Sequence, residues 1–271
     1  MIIHEGHPTL RPLLFATVFL LASCASMPDI TPEVRKDLAP TGKIRVGINY
    51  NNFILVSKDK TTGESRGVAV DLSNELGRRL GVPVEIVPFA SVAALGDAVT
   101  SGAWDIAFLG SDPQREKIMS FSPAYLELDA TYLVPGNSPL KNAADADRAG
   151  IRITAQGRAN YELWLQRNLK QAKLEPAPTD GAAFDFLAAG KADALAGLTE
   201  RLIEFSAKMP GSRVLEGRFM AVQQSIAMPK GREAGLAYLK SVVEDAKASG
   251  LVARGIEKTG ARGVSVAPPA R

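Results

Sequence analysis

Two arginines follow short polar turns that interrupt apolar runs, and both stand where anion chemistry is available. In "LGSDPQRE", Leu109 to Glu116, the hydrophobic run breaks at Gly110, Asp112 can cap a helix and Pro113 suits its first turn. Arg115 is then expected at a helix N-terminus. Free N–H groups and the helix dipole favour an anion there, and a guanidinium adds a two-pronged clamp for a carboxylate. In "ITAQGRANYELWLQ" a strand, a turn at Gly157 and an amphipathic helix from about Ala159 put Arg158 at a second helix N-terminus. The alternatives are an Arg115 paired with Asp112 or Glu116 on the surface, and an Arg158 turned outward into water.

The rest of the inventory narrows the chemistry. Arg11 precedes an apolar run, Pro12 to Leu21, which is too short to span a bilayer as a helix and has the length of a signal-peptide core. The run ends in Leu21-Ala22-Ser23-Cys24, which resembles a bacterial lipobox with Cys24 as the lipidated residue. Cleavage after Ala25 and an uncleaved anchor are the alternatives. With residues 1–23 removed as a lipoprotein signal peptide, His4 and His7 leave the chain and Cys24 is its single cysteine. Histidine or cysteine metal sites, Ser-His-Asp triads and Cys-His pairs then fall away, and no metal, cofactor or catalytic residue is expected. The net charge of +3 and the absence of long basic runs give no nucleic-acid footprint.

These residues need a frame. The chain has 271 residues, of which 46% are hydrophobic and 23% charged, enough for two cores. After Cys24, residues 24–42 read as a tether. "KIRVGINY" from Lys43 alternates as a strand, and Asp71 can cap a helix carrying Leu72, Leu76 and Leu80 on one face, closed by Gly81. "VPVEIVPF" is the next strand, and the alternation of strand and helix continues, which argues for α/β units with largely parallel sheets. An internal echo supports two units. "SVAALGDAVTSGAWDIAFLG" and "GAAFDFLAAGKADALAGL" each run an Ala-rich helix to a glycine, Gly102 and Gly190, and then place Gly-x-x-Asp before an apolar strand. Ordinary helix-to-strand turn chemistry is the other explanation.

With "IRVGINYNNF", "GVAVDLSNELGRRLGVPVEIV", "GAWDIAFLGSDPQREKIMSFSPAY", "GKADAL" and "VEDAKASGLVARGIEK" in hand, the chain from about Gly42 to Thr259 resembles the bacterial extracellular solute-binding proteins of family 3. These are the type II periplasmic binding proteins of ABC importers. The resemblance implies two Rossmann-like α/β lobes joined by two hinge strands, with a small polar solute enclosed in the cleft. The lobes are expected at 43–129 with 224–260, and at 130–223, followed by a flexible tail at 261–271. It also implies that Arg115 holds the ligand's α-carboxylate, with Leu109, Gly110, Asp112, Gly157, Arg158, Ala159 and Thr199 around it.

The chain departs from the amino-acid binders of that family in ways that bear on the ligand. Gly110 stands where a hydroxyl residue is usual, Arg158 where a threonine is, and Leu198 where an aspartate meets the α-ammonium. A leucine cannot compensate an ammonium, and burying that charge unpaired costs several kcal/mol. Asn52 and Val92 occupy places where aromatic residues are common, with Phe53 adjacent. Asn49, Gln223 and Gln224 are candidate neutral hydrogen-bonding groups. The expectation is a monomeric, lipid-anchored periplasmic receptor that delivers a carboxylate-bearing solute, an organic acid or atypical amino-acid derivative, to an ABC transporter permease. A standard amino-acid receptor, a sensory lobe, and a periplasmic dehydratase using Glu200 or Glu127 as its acid are the alternatives.

Overall fold

The computed structural model describes Met1, residues 28–59 and residues 61–270. Except for Met1, the expected signal peptide lies outside the described residues, as do Cys24 and the first part of the expected tether. The chain then forms α1 (Pro32–Leu38) and β1 (Ile44–Asn49), and a short hairpin of β2 (Ser57–Lys58) and β3 (Ser65–Arg66). After these come α2 (Val68–Leu80), β4 (Val84–Phe89), α3 (Val92–Asp97), β5 (Ile106–Gly110) and β6 (Met119–Phe121). The long β7 (Leu126–Val134) leads to β8 (Arg152–Gln156), α4 (Asn160–Asn168), β9 (Lys173–Ala177), α5 (Asp180–Ala188), β10 (Ala194–Leu198) and α6 (Thr199–Lys208). The chain closes with β11 (Arg213–Val214), β12 (Met220–Pro229), α7 (Glu233–Ala248), α8 (Leu251–Glu257) and β13 (Val264–Val266).

Two parallel units arise from this order. β1 pairs in parallel with β4 on one side and β5 on the other, and β8 does the same with β9 and β10. Between them run β7 and β12, antiparallel to each other over Leu126–Ala130 and Met220–Gln224. β12 continues against β5, and β7 continues against β10, giving the order β4-β1-β5-β12-β7-β10-β8-β9. The molecule is therefore an α/β protein of two Rossmann-like units joined through two long strands. The boundaries expected after Asp129 and Gln223 lie on these two strands.

Both units use one device to align their central strands. The Asp105 carboxylate accepts from the Arg45 backbone N–H (2.9 Å) and from its Nε and Nη2 (3.0 and 2.7 Å), while Arg45 Nη1 donates to the Gly102 carbonyl (2.6 Å). Asp193 receives Arg152 in the same way through N, Nε and Nη2 (2.8, 3.0 and 2.8 Å), and Arg152 Nη2 reaches the Gly190 carbonyl at 3.0 Å. The repeated Gly-x-x-Asp is thus a strand-to-strand tie. Cores form on the sheet faces. Leu72, Leu76 and Leu80 of α2 are buried together with Ile44, Val46 and Ile48 of β1, and Trp104 seals the α3 side by donating Nε1 to the Leu95 carbonyl (3.0 Å).

Three expectations are corrected. Residues 31–42 are not a tether: Thr31 caps α1, Val34 and Leu38 are buried, and α1 packs on α7, where the Asp37 carboxylate accepts the Gly235 N–H at 2.9 Å. Residues 264–267 are not a flexible tail, since β13 pairs with β7 beside Leu128 and Ala267 is buried. Asp71 is not the cap of α2, which starts at Val68 after Gly67. Gly67 has φ 131°, and a Cβ there would lie 2.4 Å from the Leu55 carbonyl, so the backbone approach itself sets the start of the helix.

Candidate functional site

A pocket opens at the carboxyl ends of the strands of both units, where the α/β arrangement leaves helix starts and turns facing a common space. The first unit supplies Asn49 at the end of β1, Asn51, Asn52 and Phe53 after it, and Leu109 and Gly110 at the end of β5. The second unit supplies Gln156 at the end of β8, Ala159, Asn160 and Tyr161 at the start of α4, Asp180 at the start of α5, Leu198 at the end of β10 and Arg201 in the first turn of α6. Gln224 of β12 completes the lining between them.

The electrostatics of this pocket come from Asp180 and Arg201. Burial raises the Asp180 carboxyl above the usual range, against the lowering effects of a hydrogen bond from the Tyr161 phenol (2.8 Å) and of Arg201. Burial also pushes the Tyr161 phenol well up, so it is a neutral donor. The Arg201 Nε lies 3.9 Å from Asp180 Oδ2, and its guanidinium sits 4.9 Å from the centre of the Phe53 ring. Its Nη2 donates across to the Asn51 carbonyl at 2.7 Å, and its Nη1 to Glu204 at 2.6 Å. Two further atoms stand out. Asn52 Oδ1 and Gln224 Oε1 are buried acceptors of the lining that have no hydrogen-bond partner among the described residues.

Of the residues expected at the site, Asn49, Asn52, Phe53, Leu109, Gly110, Ala159 and Leu198 line this pocket, and Val92 and Gln224 do as well. Asp112, Arg115, Gly157, Arg158 and Thr199 do not. Gly157 donates its N–H to the Ala177 carbonyl (2.8 Å), and the Thr199 hydroxyl donates to the Asp129 carbonyl (3.1 Å), so both serve the frame. Nor do Glu127, Glu200 and Gln223 reach the pocket. Gln223 Nε2 donates to Glu127 at 2.9 Å, and Glu200 accepts the Arg262 N–H at 2.9 Å.

The two arginines are placed differently from the expectation. Arg115 does not start an α-helix: residues 115–117 form one 3-10 turn, because β6 begins at Met119, and of the turn's backbone N–H groups the Asp112 carboxylate accepts that of Gln114 at 2.9 Å. Its guanidinium is buried and committed to protein acceptors. Nη1 donates to the Gly110 carbonyl (2.8 Å) and to Asn160 Oδ1, and Nη2 donates to the Arg158 carbonyl (2.9 Å). Burial pulls its pKa down to about 10, against the opposing field of Asp112. Arg158 has φ 63°, which aims its carbonyl at Arg115 and its side chain outward to Asp97, where Nη1 donates at 2.9 Å. The two cations do line one depression, together with Asp97 and Leu163, but it is a neighbouring cavity that meets the pocket described above at Val92.

Several cross-unit contacts hold this arrangement. Besides Arg158–Asp97 and Arg201 to Asn51, Arg167 Nη2 of α4 donates to the buried Asp112 carboxylate at 2.7 Å, and Asn160 Nδ2 donates to the Ser111 carbonyl at 2.8 Å. Asn51, Gln156, Asn160, Tyr161, Asp180 and Arg201 are lining residues that motif reading missed. Their shared signal is position, since most of them begin a turn or helix directly after a parallel strand.

Comparison with known proteins places this geometry. Residues 44–260 match the family model for bacterial extracellular solute-binding proteins, family 3. The glutamine-binding protein of Geobacillus stearothermophilus is 23% identical over 195 residues, covering 70% of this chain and 73% of that protein. The membrane-bound lytic murein transglycosylase F of Aeromonas hydrophila is 26% identical over 153 residues, 55% of this chain, and the match spans 30% of the transglycosylase. Among solved structures, the ancestral amino acid-binding protein AncCDT-1, a precursor of cyclohexadienyl dehydratase, superposes with a TM-score of 0.67 at 25% identity, covering 82% of this chain and 97% of that one. The substrate-binding protein AbpA of an amino acid ABC transporter from Streptococcus pneumoniae, bound to L-arginine, gives 0.68 at 21% identity, covering 82% and 96%.

Proposed function

The chain belongs to the bacterial extracellular solute-binding proteins, family 3, which act outside the cytoplasm, and from that premise we propose that it captures a small amino-acid-type solute between its two units for an ABC transporter permease. The observation that carries the reading is the acceptor-rich pocket: Asp180, Asn52 and Gln224 line it, and Asn52 Oδ1 and Gln224 Oε1 are buried acceptors without hydrogen-bond donors among the described residues. An ammonium or amide supplies them. Arg201, stacked on Phe53, is the cation that meets the solute's acidic end. This moves the reading away from a plain organic acid, which brings acceptors where the pocket already has them. Glutamine and arginine, named for two of the related proteins, both carry such donors.

The same reading makes the chain a receptor, and Glu127 and Glu200, the acids considered for a dehydratase, do not line the pocket. It includes export as a monomer anchored through a lipid on Cys24, supported by the Leu-Ala-Ser-Cys stretch. The test is a thermal-shift and calorimetric panel of amino acids and their keto-acid counterparts against wild type and Asp180→Asn. Amino compounds are expected to raise the melting temperature of wild type and to lose most of that effect in the variant. A keto acid binding both proteins as well as its amino counterpart overturns the reading.

A further inference from the structure

We propose that Asn160 is a specificity-determining residue that acts as an internal occupant of Arg115, so that the two units close around a solute without taking its carboxylate at that arginine. This rests on the proposed function only for the identity of the pocket as the solute site. A buried guanidinium demands acceptors, and in a closing cleft a solute carboxylate is the obvious source. Here neutral acceptors of the protein already take Nη1 and Nη2. The Asn160 carboxamide comes from the other unit with its oxygen on Arg115 Nη1 and its nitrogen on the Ser111 carbonyl, so one side chain bridges the units through both ends.

Gly110 is the second half of the device. A Cβ at position 110 would lie 2.5 Å from Asn160 Oδ1 and 2.6 and 2.7 Å from the other carboxamide atoms. Any side chain at position 110 would push the Asn160 head group from the place it holds. The departure from a hydroxyl residue at position 110 and the asparagine at 160 are therefore one feature seen twice. Together the two residues form the wall of the pocket on that side, while Arg115 lines only the depression behind it. The Arg158 carbonyl, turned toward Arg115 by its φ of 63°, and the Arg167–Asp112 pair flank the same contact. Arg201 is left as the cation that faces the pocket.

Gly110→Ala and Asn160→Ala test the idea from its two sides, the first without altering any of the bonded groups. The probes are acetate, as a bare carboxylate, and the radius of gyration of the solute-free protein from small-angle scattering. Wild type is expected to be closed without solute and indifferent to acetate. Both variants are expected to expand and to bind acetate about tenfold more tightly or better. Acetate binding wild type as well as the variants, or variants that stay closed and indifferent to acetate, overturns the proposal. A melting curve identifies a variant that does not fold, and the other variant then decides. Neither readout uses the natural solute. If Asp180→Asn leaves amino-compound binding intact while Gly110→Ala gains acetate binding, the solute reading fails and this one stands. The converse pattern separates them the other way.

Discussion

The two α/β units are built on one plan and differ in how deeply they bury it. In the first, Asp105 is wholly buried and has Arg232 at 3.7 Å besides its partner Arg45; in the second, the Asp193 side chain keeps 36% of its surface exposed and Arg152 keeps 41%. The hydrogen-bond pattern is the same in both. The geometry of the tie thus comes from the strand-to-strand spacing, while its energetic weight comes from solvent. The carboxyl ends of the units diverge in a parallel way. Beyond β5 the arginine, Arg115, is spent on internal carbonyls, and beyond β10 the arginine, Arg201, faces the pocket.

The strongest way to break the first comparison is to remove each aspartate. Asp105→Ala leaves the part-buried Arg45 backbone N–H, Nε and Nη2 without their acceptor and is expected to cost about 3–5 kcal/mol. Asp193→Ala removes the same bonds where water replaces them and is expected to cost clearly less. Urea unfolding of the two variants checks this, and equal losses would mean that burial does not set the weight of the tie.

The next largest effect tests the second comparison. Arg201→Ala is expected to weaken solute binding by roughly 1–3 kcal/mol, by removing the pocket's cation and its stacking on Phe53. Arg115→Ala is expected to lower the unfolding free energy more than it lowers solute affinity, because it strands Asn160 Oδ1 and the Gly110 carbonyl rather than the solute. Calorimetry paired with denaturation separates the two, and an affinity loss at Arg115 exceeding that at Arg201 reverses the assignment.

A pH series sharpens the same assignment with a smaller effect. The Asp180 pKa is raised in the folded protein, so the folded state holds the proton more tightly than the unfolded one. Acidification through that raised pKa therefore favours the folded, solute-free protein, and the stability so gained is lost again as pH rises through it. Affinity for an ammonium-bearing solute runs the opposite way, because the charge that receives it disappears. The two curves are expected to run in opposite directions as pH rises through the raised Asp180 pKa, and Asp180→Asn is expected to flatten both.

The elements that could be read in the residues were those with local signals. The Gly-x-x-Asp repeats announced two units, and Leu72, Leu76, Leu80 and Gly81 announced α2. Other features depend on partners distant in the chain. α1 is stable because α7 covers Val34 and Leu38, and nothing near Pro32 says so. β13 is three residues long, too short for periodicity, and exists through β7. At the site, the family resemblance pointed to Gly110 and Leu198, which line the pocket, and to an Arg158 facing the cleft, which instead turns outward to Asp97. Its side-chain direction follows from a backbone conformation that no motif specifies for an arginine.

That conformation supports the last and smallest test. Arg158 combines a cost and a gain: a left-handed φ of 63° in a residue with a Cβ, and an exposed ion pair to Asp97 across the units. Left-handed backbone costs a non-glycine residue roughly 1–2 kcal/mol, and an exposed pair contributes only about 0–1 kcal/mol. Removing the pair alone, with Asp97→Asn, is expected to change stability little and to lose what effect it has at high salt. Arg158→Ala keeps the strain and loses the pair, whereas Arg158→Gly loses the pair and releases the strain, so the glycine variant is expected to be the more stable of the two in thermal denaturation. If alanine is the more stable, the backbone at 158 is not strained, and the turn of its carbonyl toward Arg115 is a resting conformation rather than one held by the cross-unit contacts around Asn160.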